Sequence, residues 1–182
     1  DGADTIDGGD GDDVLRGGAG KDTISGGAGD DKIDGGDNAD KINGGEGADR
    51  IDGGKGNDIL RGGDGADVIL GGEGADRIGG GDGADTITGG AGGDTITGGK
   101  GRDVFVYTAI EDSGVDPDTF DIITDFDAAK DKFDLSAFLG ADQFDFLATS
   151  GSSFTPGGTE REVRWEKSGG RTIIEIDVDG DD

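Results

Sequence analysis

Residues 17–36 read GGAGKDTISGGAGDDKIDGG, a stretch that returns to Gly-Gly-x-Gly-x-Asp after nine residues. Glycine loses more backbone freedom on ordering than any other residue, so a chain that uses it this often needs a compensating gain. Working outward from this stretch with the register set at Gly8, residues 8–106 divide into eleven consecutive nine-residue units without an insertion, and residues 1–7 supply the end of a twelfth. The unit is G-G-x-G-x-D-x-U-x, with U large and apolar. Its sixth position is always Asp, from Asp4 and Asp13 in steps of nine to Asp94 and Asp103, and its eighth runs Ile6, Leu15, Ile24, Ile33, Ile42, Ile51, Leu60, Ile69, Ile78, Ile87, Ile96, Phe105.

The last three residues of each unit, as in Thr23-Ile24-Ser25 or Lys32-Ile33-Asp34, alternate polar and apolar with period two and predict a three-residue strand with one buried face. The six preceding residues supply glycines for tight turns that require positive φ. Short strands separated by such turns stack only if the chain coils. Two units, eighteen residues, then complete each circuit, and two parallel sheets face each other across the U residues. Alternate aspartates line opposite edges: Asp4, Asp22, Asp40, Asp58, Asp76 and Asp94 on one, Asp13, Asp31, Asp49, Asp67, Asp85 and Asp103 on the other.

Within such a column, carboxylates recur at roughly the 4.8 Å strand spacing and repel one another. The composition repeats the problem at the scale of the chain: 43 acidic residues against 16 Lys and Arg give a formal charge of −27, with 30% apolar residues. A chain this acidic and this poor in apolar side chains does not order itself in plain water. Cations are its natural partners, and nucleic acids and anionic membranes are not. With no Cys and no His, a metal must be held by oxygen. Calcium accepts six to eight mixed carboxylate and carbonyl oxygens, whereas magnesium insists on an octahedron and keeps its waters. The reading is therefore calcium between successive turns, about five ions on each edge, and an otherwise linker-like chain that orders when they bind.

These residues resemble the RTX nonapeptide calcium-binding repeat, whose consensus they match over residues 1–106. The resemblance implies an all-β fold, a right-handed parallel β-roll with a C-terminal β-rich cap over residues 107–182, and it implies a ligand set. One site takes the carbonyls of Gly9 and Gly11 with the carboxylate of Asp13, plus the carbonyls of Gly26 and Ala28 with Asp31. Stepping by nine carries these roles to Gly18, Gly20 and Asp22 with Gly35, Asp37 and Asp40, and to Gly27, Gly29 and Asp31 with Gly44, Glu46 and Asp49. The next sets are Gly36, Asn38 and Asp40 with Gly53, Lys55 and Asp58, then Gly45, Gly47 and Asp49 with Gly62, Asp64 and Asp67. Gly54, Gly56 and Asp58 follow with Gly71, Glu73 and Asp76, and Gly63, Gly65 and Asp67 with Gly80, Asp82 and Asp85. The last two are Gly72, Gly74 and Asp76 with Gly89, Ala91 and Asp94, where Gly90 is a further carbonyl candidate, and Gly81, Gly83 and Asp85 with Gly98, Lys100 and Asp103. Asp4 opens a further site with Asp22. Asn38 replaces a glycine, but any residue offers a carbonyl and Asn tolerates the left-handed region.

After Tyr107 the period stops and aromatics appear: Phe120, Phe126, Phe133, Phe138, Phe144, Phe146, Phe154 and Trp165. FDIITDFD (120–127), DKFDLSAF (131–138) and RTIIEIDVD (171–179) predict strands, and residues 148–160 a loop. This region is expected to cover the last coil's open edge. Asp112, Asp121, Asp125, Asp131 and Asp134 are candidates for a further calcium site, while Asp177, Asp179 and Asp181 read as an exposed acidic end. The run 111–138 also resembles the segment after the roll in serralysin-type metalloproteases and the R-modules of mannuronan epimerases. That resemblance implies a module of a secreted, extracellular bacterial protein exported by a type I system, with the export signal beyond DVDGDD (177–182).

Catalysis finds little support in the residues. H-E-x-x-H chemistry and a serine triad both need His, and the carboxylates are expected to face solvent or calcium rather than a cleft. No run of ~20 apolar residues is present to span a membrane. Thr86-Ile87-Thr88 and Thr95-Ile96-Thr97 fall on opposite sheets and build no threonine array. A cell-surface or S-layer role is a further reading, and outward Lys32, Lys41, Arg50, Arg61 and Arg77 make an acidic extracellular polysaccharide a possible partner, though such residues ordinarily keep a sheet face soluble.

Overall fold

The computed structural model describes residues 1–109, 112 and 120–138, together with the backbone of three short strands at 145–146, 162–168 and 171–177. The expected loop 148–160, Phe154 and the acidic residues Asp179 and Asp181 lie outside the described residues. No α-helix occurs among the described residues, and no helix is long and apolar enough to cross a membrane.

Strands β1 (Thr5–Asp10), β2 (Val14–Ala19), β3 (Thr23–Ala28), β4 (Lys32–Asp37), β5 (Lys41–Glu46) and β6 (Arg50–Lys55) follow one another at nine-residue intervals. The pattern continues through β7 (Ile59–Asp64), β8 (Val68–Glu73), β9 (Arg77–Gly83), β10 (Thr86–Ala91), β11 (Thr95–Gly101) and β12 (Val104–Val106). Odd strands stack in one parallel sheet and even strands in the other, each residue pairing with the one eighteen further on, as Ile24 with Ile42 and Ile33 with Ile51. Six coils of a parallel β-roll result.

The strands are twice as long as the alternating pattern predicts. Each x-U-x triplet runs on through the Gly-Gly-x of the following unit, and pairs such as Gly27 with Gly45 keep the ladder intact. Glycine lacks a packing side chain, so periodicity of hydrophobicity does not register it as strand, yet its backbone pairs like any other.

The core is a single file of U residues. Ile24, Ile42, Ile51, Leu60, Ile69, Ile87 and Ile96 are no more than 2% exposed, and the file ends on Phe105 at 0%. Ile6 and Leu15 in the first coil are only partly buried, because no coil stacks on their outer side. At the other end β13 (Ile122–Ile123) extends the odd sheet beside β11, and β14 (Lys132–Asp134) extends the even sheet beside β12. β17 (Arg171–Asp177) joins β13 antiparallel, followed by β16 (Glu162–Ser168) and β15 (Asp145–Phe146). Phe105 meets Phe126 and Phe133 at centroid distances of 5.9 and 5.8 Å, and Phe126 stacks on Phe133 at 4.6 Å. Aromatic rings thus close the apolar file.

Candidate metal centre

The turn from each strand to the next holds the sixth-position aspartate, and eighteen-residue stacking places these aspartates in two columns. Their side chains do not face solvent. From Asp22 to Asp103 each is at most 3% exposed, since the flanking turns of the coils above and below cover it. Only the first rungs are open, with Asp4 exposed and Asp13 half-buried.

One oxygen of each carboxylate is used by the fold. The backbone N–H of Asp22 donates to Asp40 Oδ1 at 2.7 Å and that of Asp31 to Asp49 Oδ1 at 2.9 Å, and the same bond recurs up both columns. The other oxygen has no hydrogen-bond partner. In Asp13, Asp22, Asp31, Asp40, Asp49, Asp58, Asp67, Asp76, Asp85 and Asp94 the Oδ2 atom is buried and unpartnered. A buried charged oxygen left in this state carries its full desolvation cost.

The space beside these atoms is made by the first glycine of the unit. A Cβ placed on Gly8 would lie 2.6 Å from Asp13 Oδ2 and 2.5 Å from the Gly26 carbonyl; one on Gly53 would lie 2.6 Å from Asp58 Oδ2 and 2.5 Å from the Gly71 carbonyl. Carboxylate and carbonyl oxygens therefore converge on a cradle that any side chain would fill. The same pairing, sixth-position Oδ2 with the first-position carbonyl two units on, recurs for the nine aspartates from Asp13 to Asp85. Of the carbonyls expected as ligands, the first-position set (Gly26, Gly35, Gly44, Gly53, Gly62, Gly71, Gly80, Gly89, Gly98) thus lies against the orphaned oxygens. The third-position carbonyls are already engaged: Ala28, Glu46, Asp64, Glu73, Asp82 and Ala91 each accept the N–H of the fourth residue two units back.

The second- and fourth-position residues answer a different demand. Gly27 and Gly29 hold φ of +115° and +125°, and a Cβ on either would run into the carbonyls of Gly9 and Gly11 in the coil before. Asn38 adopts φ 82°, the one non-glycine residue in the left-handed region among those described. Among the described residues no three acidic side chains lie close enough to hold an ion by themselves, so a cation here must draw on backbone carbonyls as well.

Burial raises the carboxyl pKa values, to about 7 for Asp76 and about 6 for Asp85 and Asp94. Desolvation is the largest cause, the donated backbone N–H opposes it, and for Asp76 and Asp85 the carboxylates above and below add to it. Asp40, Asp49, Asp58, Asp67 and Asp103 shift the same way. A divalent cation between rungs removes that penalty.

The cap continues both columns, which the nine-residue period does not reveal. Asp94 N–H donates to Asp121 Oδ1 at 2.9 Å and Asp103 N–H to Asp131 Oδ1 at 3.1 Å, at separations of 27 and 28 residues instead of 18. The signal was present in Asp121-Ile122-Ile123-Thr124 and Asp131-Lys132-Phe133-Asp134, which repeat the D-x-U-x end of the unit without its glycines. The five cap aspartates among which a further calcium site was expected take different partners. Asp125 caps Gly98 and Gly99 through two 2.8 Å bonds, Asp112 accepts from Thr108 and Ala109, and Asp134 accepts from Ser136. The sequence reading also missed an outer ladder in which the side chains of Asp12, Asp30 and Asn57 accept the N–H groups of Asp30, Ala48 and Ala75. The basic residues Lys41, Arg61 and Arg77 stand on the odd sheet and Lys32 and Arg50 on the even one, all exposed, so they share no single face.

The model of the RTX calcium-binding nonapeptide repeat matches four segments, residues 1–33, 16–51, 43–78 and 79–107, which together span more than half of the chain. The chain belongs to the RTX repeat family. Among solved structures, the solution structure of the AlgE6R3 subunit from the Azotobacter vinelandii mannuronan C5-epimerase aligns at 34% identity over 71% of this chain and 71% of that one, with a TM-score of 0.43. No curated protein sequence matches. The repeats thus mark this chain as an RTX calcium-binding module, and the orphaned carboxylate oxygens are where the geometry of this member suits the ion.

Proposed function

We propose that the chain is a folding switch worked by extracellular calcium, part of a secreted bacterial protein whose export and stability it supports. The observation that carries this reading is the recurrence, nine times over, of a buried unpartnered carboxylate oxygen beside a backbone carbonyl in a glycine-made cradle. Each ion would join the sixth-position carboxylate of one unit to the first-position carbonyl two units on, so that filling one rung orders the next and binding is cooperative. Ten divalent ions would bring the formal −27 to about −7 and lift most of the self-repulsion that opposes the compact state. Extracellular calcium modules bind with Kd of ~10⁻⁴ to 10⁻³ M. At cytosolic calcium the chain then stays unfolded and suited to export, and outside the cell it orders. The aromatic cap over Phe105 supplies the first edge on which coils stack.

The test is far-UV circular dichroism of the chain during calcium titration from none to ~10 mM, with magnesium in parallel. A steep, calcium-selective passage from coil to β-structure is expected. A chain already folded in chelator, or responding equally to magnesium, would overturn the proposal in favour of a constitutive structural element.

A further inference from the structure

Of the ten orphaned oxygens in the repeats, nine belong to rungs between two nonapeptide units, and Asp94 Oδ2 is the tenth. Its side chain is 1% exposed, and beyond it the repeats on this edge end. The next rung is Asp121, a cap residue that takes the N–H of Asp94 on its Oδ1 just as each repeat aspartate takes the N–H of the one below. Asp112, 8% exposed, lies close enough to raise the carboxyl pKa values of both Asp94 and Asp121 electrostatically. The hydroxyl of Tyr107, itself 7% exposed, donates to Asp121 and feels Asp94 and Asp112 as well. Asp94 and Asp121 thus meet directly at the junction, with the Tyr107 hydroxyl on Asp121 and the charge of Asp112 felt by both.

The other edge ends differently. Asp131 takes the Asp103 N–H on Oδ1 and the Asp127 N–H on Oδ2 at 2.8 Å, and Asp103 Oδ2 is not among the orphaned atoms. No carbonyl stands where a Cβ on Gly89 or on Gly98 would lie; the Gly89 cradle meets only Asp94 itself, whereas at Gly98 the Phe105 ring also takes up the space. Hydrogen bonds and an aromatic ring close that column.

We propose that the roll–cap junction on the Asp94 edge is a divalent-cation site, taking calcium between Asp94 Oδ2 and the Asp121 carboxylate, with no counterpart between Asp103 and Asp131. Asp112 supplies negative charge beside it without being a ligand. The cap is then fastened to the last coil by an ion on one edge and by hydrogen bonds on the other. The inference rests on the calcium reading of the repeats.

The chain carries one tyrosine, Tyr107, and one tryptophan, Trp165, so a lanthanide at this site can be read optically. Native mass spectrometry of the calcium-loaded full chain should count one ion fewer in Asp121→Asn than in the parent, with the remaining ions retained. In a Trp165→Phe background, terbium emission sensitised through Tyr107 should fall at least twofold when Asp121→Asn is added. Equal counts and equal emission would overturn the junction site while leaving the repeat sites standing. A parent chain that binds no calcium would remove the repeat reading itself. Should Asp121→Asn fail to reach the β-structure of the parent, the Trp165→Phe chain decides alone: strong tyrosine-sensitised emission supports the site and its absence overturns it.

Discussion

The aspartates of the coils and those of the cap use the same first bond and differ in the second. In both regions Oδ1 accepts the N–H of the aspartate one rung down. From Asp13 to Asp85 the remaining oxygen faces a carbonyl, acceptor against acceptor. In the cap, Asp131 finds the Asp127 N–H, Asp125 spans two N–H groups and Asp112 gathers Thr108 and Ala109. The difference teaches that a buried carboxylate is not in itself a metal ligand. It suits a cation where the backbone around it offers only more acceptors, as glycine turns stacked in parallel must, because every coil presents its carbonyls to the next in the same direction.

Breaking the aromatic closure should have the largest effect. Phe105→Ala removes the fully buried ring on which Phe126 and Phe133 pack, and is expected to cost about 3–5 kcal/mol, read as a loss of stability to urea in saturating calcium. Were the coils to hold without it, the cap would not be the edge on which they stack.

A sharper comparison uses one motif position in two coils. Gly9 and Gly27 have similar φ, +96° and +115°, but only Gly27 has a carbonyl where its Cβ would sit, and Gly9 has nothing within 4 Å. Gly9→Ala should cost about 1–2 kcal/mol for left-handed strain alone, and Gly27→Ala about 1–3 kcal/mol more for the clash. Equal midpoints in a calcium titration of the two variants would show that coil-to-coil contact does not set the requirement for glycine.

Protons should imitate calcium. A carboxyl whose folded pKa is raised holds protons that the unfolded chain, with a value near 3.8, releases, so stability falls as pH rises between the two. For Asp85 and Asp94 that window runs from about 4 to about 6, for Asp76 to about 7 and for Asp121 to about 8. In chelator, the chain should therefore show more β-structure at pH 5 than at pH 8. In limiting calcium the order should reverse, since protons compete for the ligands, and a pH-independent calcium midpoint would argue against carboxylate ligands.

The smallest effect is expected at Lys100. Its ammonium meets Asp82 at 2.7 Å, but both side chains are more than half exposed, and water screens such pairs. Lys100→Ser should leave the calcium midpoint where it was.

Much of this is legible in the sequence. The nine-residue period dictated the alternation of sheets, the eighteen-residue register, the file of U residues and the membership of each aspartate column. Each of these is a local rule repeated, and repetition converts a turn and a triplet into a solenoid. Composition likewise pointed to an oxygen-bound cation, since −27 with no His or Cys leaves few other ligands or partners.

What only the tertiary structure decided is everything that depends on one coil lying against the next. Strands six residues long, aspartates buried at 3% or less, and the division of each carboxylate into one bonded and one orphaned oxygen all arise from stacking. So does the continuation of both columns into Asp121 and Asp131, 27 and 28 residues on. A period is written in the sequence because it is local. Where the period ends, the pairing of a strand is chosen by contacts far apart along the chain, and no spacing records it.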